Sequence, residues 1–289
     1  MKRYEKSPSL TKFGKNPPVF LCYHTRWKKR FQGCIMARRI VVTSGKGGVG
    51  KTTVAVRLAT ALAKKGARVV VCDADFGLNN ADLLCGLETR IAYDVVDVAE
   101  GRCRVKQALA QHPKYCNLYL LLGAKDGLKN PVSAQSLKLV LDGLNADFDF
   151  VFIDSPAGID DGFHRAVASA SEAIVVTTPH ISSIRDADKA ITLLKSYGLD
   201  GVSLVVNMAR GDLIVGGEEL SPEEIAEVLK LPLLGVIPQD DAMDKDLAPH
   251  VAFRVLAQSL LGKRTRRYDV ESKYMGFFGG VRRLLRRCL

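Results

Sequence analysis

Nine consecutive residues, Gly45-Lys46-Gly47-Gly48-Val49-Gly50-Lys51-Thr52-Thr53, have the types and spacing for phosphate chemistry. Two glycines flank four residues, and Lys and Thr follow directly, which is the P-loop pattern. Glycines let backbone N–H groups turn inward on an oxyanion without a Cβ in the way. A helix opening at this point would add the partial positive charge of its N-terminus. Lys51 is then expected to contact the β- and γ-phosphates of ATP, and the Thr52 hydroxyl to ligate Mg2+. Asp154, after the apolar run 150–153, stands at the Walker B position and is expected to hold Mg2+ through water. Asp73-Ala74-Asp75 closes another apolar run, at 68–72. Lys46 is the unusual element, because a second lysine in this loop is not needed to hold a nucleotide within one subunit.

These residues need elements that bring them to one edge, and the sequence supplies a regular alternation from residue 38 onward. Short β-branched runs at 39–43, 68–72, 118–122, 150–153, 173–177, 203–207 and 233–237 read as strands. Helix-length segments such as 52–65, 133–144 and 182–197 lie between them, and Ser221-Pro222-Glu223-Glu224 reads as a capped helix start. The expected fold is α/β: one doubly wound, mostly parallel sheet with helices on both faces, as in P-loop NTPases, spanning residues 36–262. In such a sheet ligands bind at the carboxyl ends of the strands, where Asp73, Asp75 and Asp154 all fall. Either of the first two could instead cap the turn that follows it.

Composition bounds the partners. The formal charge of +11 comes from both ends of the chain. Residues 1–35 hold nine Lys or Arg and one acid, residues 263–289 hold nine and two, and the stretch 36–262 is net acidic. Positive charge confined to the ends points to an anionic surface. The seven cysteines form no CxxC pair, which argues against a disulfide framework and a metal site built from adjacent ligands; Cys72 and Cys85 read as small core residues. Residues 1–35 show no sustained period and read as a disordered or mis-assigned extension ahead of a start at Met36. A transit peptide is the other reading, and sparse Ser with no Arg-rich amphipathic helix counts against it. No long apolar run marks a secretory signal or a spanning segment, so a cytoplasmic location is expected.

The loop from Lys46 to Thr53 resembles the deviant Walker A box, and the chain is similar to the ParA/MinD family of P-loop ATPases almost continuously from Arg38 to Gly262. The segment Phe76-Gly77-Leu78-Asn79-Asn80, the stretch 87–101, Asp154-Ser155-Pro156-Ala157-Gly158-Ile159, Ser182-Ser183-Ile184-Arg185-Asp186-Ala187-Asp188 and Leu234-Gly235-Val236-Ile237-Pro238 carry that similarity toward its septum-placing branch. The resemblance implies that Lys46 reaches across an ATP homodimer to the partner's phosphates. It implies that Asp75 orients the attacking water, that Asp73 serves the metal's water shell, and that Asn207, Pro238 and Gln239 contact the adenine. It further implies a MinC-like division inhibitor and MinE or another topological regulator as partners. Two features depart from the family: Asn79 stands where a basic residue is usual, and segment 241–249 is short. Iron–sulfur carriers of the CxxC kind are excluded by cysteine spacing. A DNA-partition ATPase of the ParA kind is the alternative, disfavoured by the acidic domain, and a flagellar-number regulator is a third.

Residues 274–289, joined by a linker at 263–273, distinguish these relatives. On a helical projection Tyr274, Phe277, Phe278, Val281, Leu284, Leu285, Cys288 and Leu289 fall within an arc of about 140°. Arg282, Arg283, Arg286 and Arg287 lie on the other side with three glycines. Glycines cost a helix roughly 1 kcal/mol each in water. An apolar face opposite arginines is expected of an in-plane helix that folds on anionic lipid at the cytoplasmic face of the membrane. A core-docking or partner-binding helix is the blander alternative.

Overall fold

A computed structural model describes residues 36–76, 81–87, 92–124, 132–239, 250–262 and 267–287. Segments 1–35 and 241–249, Asn79, Cys288, Leu289 and the side chains of Leu285 and Arg287, all singled out above, lie outside that description. In chain order the strands and helices are β1 (Arg38–Thr43), α1 (Lys51–Ala63), β2 (Val69–Asp73), α2 (Ala81–Cys85), α3 (Val95–Ala99), β3 (Ala110–Gln111), β4 (Leu118–Leu121) and α4 (Ala134–Asp142). They continue with β5 (Phe150–Asp154), α5 (Asp161–Ala168), β6 (Glu172–Thr177), α6 (Ile181–Leu194), β7 (Gly201–Ala209), α7 (Gly211–Val215), α8 (Pro222–Leu229), β8 (Leu233–Pro238), α9 (Val251–Leu260) and α10 (Gly276–Arg287).

The strands form one sheet in the order β3-β4-β2-β5-β1-β6-β7-β8. Every pairing from β4 to β8 is parallel, and β3 alone runs antiparallel on β4. Because side chains alternate across a strand, each apolar run feeds two cores. Ile40, Val42, Val69, Val71, Phe150 and Phe152 pack under α1 and α9, while Val41, Val70, Val151, Ile153 and Val175 pack under α4, α5 and α6. Cys72 and Cys85 are buried, one in each core. All seven expected strands are present. The eighth, β3, has two residues and follows from the β4 edge rather than from any apolar run of its own. At the opposite edge the Arg267 guanidinium donates to the Leu233 carbonyl at 3.1 Å.

Ser221 caps α8 as its sequence indicates. Its Oγ accepts from the Glu224 N–H at 3.3 Å, and the Glu224 carboxylate accepts from the Ser221 N–H at 2.7 Å. Ser221→Ala should therefore cost about 1 kcal/mol in urea unfolding; an unchanged midpoint would show the cap to be idle.

Candidate functional site

β1 sits between β5 and β6, so its carboxyl end opens at the crevice where the winding of the sheet reverses, and the glycine-rich loop leaves from there. α1 begins at Lys51, whose side chain is buried at the loop's base, while Lys46 stays exposed at its rim. Two glycines make this loop sterically feasible. A Cβ on Gly45 would lie 1.8 Å from the Asp186 carbonyl oxygen on α6, and one on Gly50, at φ +87°, would lie 2.4 Å from the Asn207 amide nitrogen. The loop is thus pinned to α6 at one end and to the end of β7 at the other.

Asp73 and Asp154 are register partners on β2 and β5, and both are buried. Asp73 uses its two oxygens to accept from the N–H groups of Asp75 (3.0 Å) and Ala81 (3.4 Å), holding the turn after β2. Burial, with the Asp154 charge adding to it, pushes the Asp73 carboxyl up to about 7. Burial likewise pushes Asp154 up to about 6, against the pull of a Thr52 hydrogen bond and the Lys51 charge. Asp154 Oδ1 has no hydrogen-bond partner although it is buried. A lone hard oxygen beside the Thr52 hydroxyl suits Mg2+. Asp154 and Thr52 therefore fit a nucleotide-associated Mg2+, and Asp73 also braces the turn that presents Asp75. Asp75 is half-buried, and burial raises its carboxyl above the usual range against the opposing Lys51 charge.

The residues expected at the adenine lie at adjoining strand ends. Asn207 is buried beneath the loop and donates its amide to the Val49 carbonyl at 2.8 Å. Pro238 pairs with Ala209, and the Gln239 N–H donates to the Ala209 carbonyl at 3.1 Å. Asn207 is thus a strut of the phosphate loop in this structure, with one of its two amide N–H groups committed to Val49.

The C-terminal helix begins at Gly276, two residues later than the projection placed it. Met275 is extended (ψ 157°) and separates α10 from a short 3-10 turn, Ser272–Tyr274. Tyr274 is 5% exposed and belongs to that turn, which corrects its place on the outer apolar face. Phe277 (83% exposed), Phe278 (80%), Val281 and Leu284 (67%) do form an outward face. The arginines behave differently from the expectation. Arg282 is exposed, but Arg283 donates to the Val215 carbonyl at 3.3 Å, and Arg286 donates to the Gln239 carbonyl at 3.0 Å and to the Tyr274 hydroxyl. No helix among the described residues is long and apolar enough to cross a membrane.

Residues 36–258 match the family described as "ParA: NUBPL iron-transfer P-loop NTPase". A putative septum site-determining protein MinD of Guillardia theta is 42% identical over 86% of this chain and 97% of its own length. The chain belongs to the ParA/MinD family of P-loop ATPases. Among solved members of the family, the MinC:MinD cell division protein complex of Aquifex aeolicus superposes with a TM-score of 0.75 at 35% identity, covering 81% of this chain and 99% of that one. The septum site-determining protein MinD complexed with Mg-ADP from Pyrococcus horikoshii superposes at 0.69 with 29% identity, covering 78% and 96%.

Within this family member, three residues matter that sequence reasoning did not assign to the site. Ser182 Oγ accepts from the Lys46 ammonium at 3.1 Å, across 136 positions of sequence, so no local spacing announced it. Met208 adopts φ +56° where the β7–β8 register slips beside Asn207, a conformation its residue type does not suggest. Phe76, next to Asp75, has the guanidinium of Arg165, on α5, 4.7 Å from its ring centre, tying the turn after β2 to α5.

Proposed function

We propose that this protein is an ATP-dependent dimerising membrane switch. The ATP-bound homodimer sits on the cytoplasmic face of the cell membrane, recruits a MinC-like division inhibitor and helps place the division septum. Slow hydrolysis, stimulated by MinE or another topological regulator, splits the dimer and releases it. The outward apolar face of α10, with Phe277 and Phe278 almost fully exposed, carries the membrane half of this function. The septum-site name of the relatives and the MinC in the Aquifex complex support the division half.

The chain's own groups divide the work. Lys51 holds the phosphates from the buried base of the loop. Lys46 leaves Ser182, a single exposed contact, to reach the partner's phosphates and stabilise charge in the transition state. Asp75 orients the attacking water, steadied from behind by the Asp73 turn. When bound with ATP, Mg2+ would be held by Thr52 and Asp154 and would neutralise phosphate charge. One α10 binds lipid weakly and two in a dimer bind by avidity, so nucleotide state sets membrane residence.

Removing residues 276–289 should abolish ATP-dependent sedimentation with anionic liposomes and leave ATP binding intact. Undiminished sedimentation refutes the membrane role. DNA retardation without liposome pelleting would favour the partition function instead.

A further inference from the structure

Asp75 is held on one side by its own turn, since its N–H donates to the Asp73 carboxylate at 3.0 Å. On the other side it is followed by Phe76, whose ring is partly buried against the core under α4, α5 and α6. The ring lies on the chain that continues β4. A Cβ on Gly123 would fall 2.6 Å from Phe76 Cδ1 and 2.8 Å from the Asp73 carbonyl oxygen, so only glycine leaves the ring its place. The Arg165 guanidinium stands 4.7 Å from the ring centre.

Arg165 is one turn along α5 from Gly162, so the two are neighbours on that helix. Gly162 meets the other acid-bearing turn: a Cβ there would fall 2.5 Å from Pro156 Cγ, in the segment that follows Asp154. That segment in turn meets the phosphate loop, where a Cβ on Gly47 would sit 3.6 Å from Ala157 Cβ. α5 thus touches the turn after β5 with its first turn and the turn after β2 with its second.

The contact between Arg165 and Phe76 is more than apolar packing. Burial lowers the Arg165 pKa from its ordinary value, with Asp161 pulling the other way. A guanidinium that has lost part of its water gains more from the face of a ring than an exposed one does. The charge acting on the Asp75 carboxyl is that of Lys51, so Arg165 reaches Asp75 through the ring of its neighbour.

We propose that Arg165 and Phe76 are positioning residues for ATP hydrolysis, their clasp fixing the Asp75 carboxylate relative to Asp154 by way of α5. The proposal rests on Asp75 orienting the attacking water. Misplacing a reacting group by about 1 Å can cost a hundredfold in rate, so a clasp remote from the phosphates can govern turnover without touching affinity.

Arg165→Met keeps the apolar stem and removes the cation, while Phe76→Leu keeps an apolar side chain and removes the ring face. In the full chain with Mg-ATP each should lower kcat by roughly fivefold to tenfold and leave KM unchanged. The ATP-dependent dimer should form as in the parent. The double variant should be no slower than the slower single one, because the two residues make one contact. Arg165→Lys, still a cation, should recover most of the loss. The Asp75 amide, followed by NMR without nucleotide, should exchange faster in both variants as the turn loosens. Arg165→Met should cost nothing further in an Asp75→Asn background. Parental kcat in both single variants, a rise in KM with kcat intact, or the same loss with and without Asp75 overturns the proposal. Parental kcat in the clasp variants beside an inactive Asp75→Asn overturns the clasp alone. Parental turnover in Asp75→Asn removes the function assigned to Asp75, and the proposal with it.

Discussion

Asp154→Asn should make the nucleotide-free protein more stable near neutral pH and slow ATP turnover by roughly a hundredfold or more. Burial raises this carboxyl from 3.8 to about 6 in the fold. The protonated form is therefore favoured by folding, and the stability it provides is complete below about pH 4 and lost as pH rises through about 6. Above that the parent carries a buried charge whose Oδ1 has no partner. Asn keeps the shape and an acceptor for Thr52 and removes the charge. The variant's advantage should be on the order of 1–3 kcal/mol above about pH 7 and should vanish by about pH 4. Thermal melts without nucleotide or magnesium across that range, paired with phosphate release, measure both halves. A variant less stable than the parent at pH 7.5 would show that the charge is compensated in the fold, and parental turnover would remove Asp154 from the metal site.

Lys46→Ala should leave ATP binding nearly intact and eliminate the ATP-dependent dimer, whereas Lys51→Ala should lose the nucleotide itself. The difference follows from their settings. Lys51 is the first residue of α1, buried at the loop's base with its charge close enough to act on Asp75 and Asp154. Losing its charge-assisted contact to the phosphates should cost roughly a hundredfold in affinity. Lys46 is exposed and tethered to Ser182 alone among the described residues, so within one subunit its removal costs little. Calorimetry with ATP and light scattering on a sizing column separate the two; an intact Lys46→Ala dimer refutes the cross-subunit role.

The parallel sheet was legible because its strands are continuous β-branched runs that must be buried on both faces, and the phosphate loop because its glycines and lysine are local. β3 was not, since two residues that merely extend an edge leave no pattern. The site was legible where one residue does one job, as with Lys51. It was less so where partners lie far apart in sequence: nothing local in the sequence announces that the Asn207 amide donates to Val49, or that both oxygens of Asp73 brace the next turn. The C-terminal projection located the apolar stripe, because 3.6-residue periodicity is intrinsic to the helix. It missed Tyr274, whose position is set by the extended Met275, and it missed the arginines' acceptors, which belong to α7 and β8.

The edges of the sheet have a consequence for behaviour at high concentration. An open edge strand is a template on which another chain can add and refuse to leave. Here one edge ends in a two-residue antiparallel piece, and on the other Arg267 occupies the Leu233 carbonyl at the start of β8 and Arg286 the Gln239 carbonyl just past its end. Both features work against strand-to-strand addition between crowded copies, while leaving the rest of the surface open to reversible encounters.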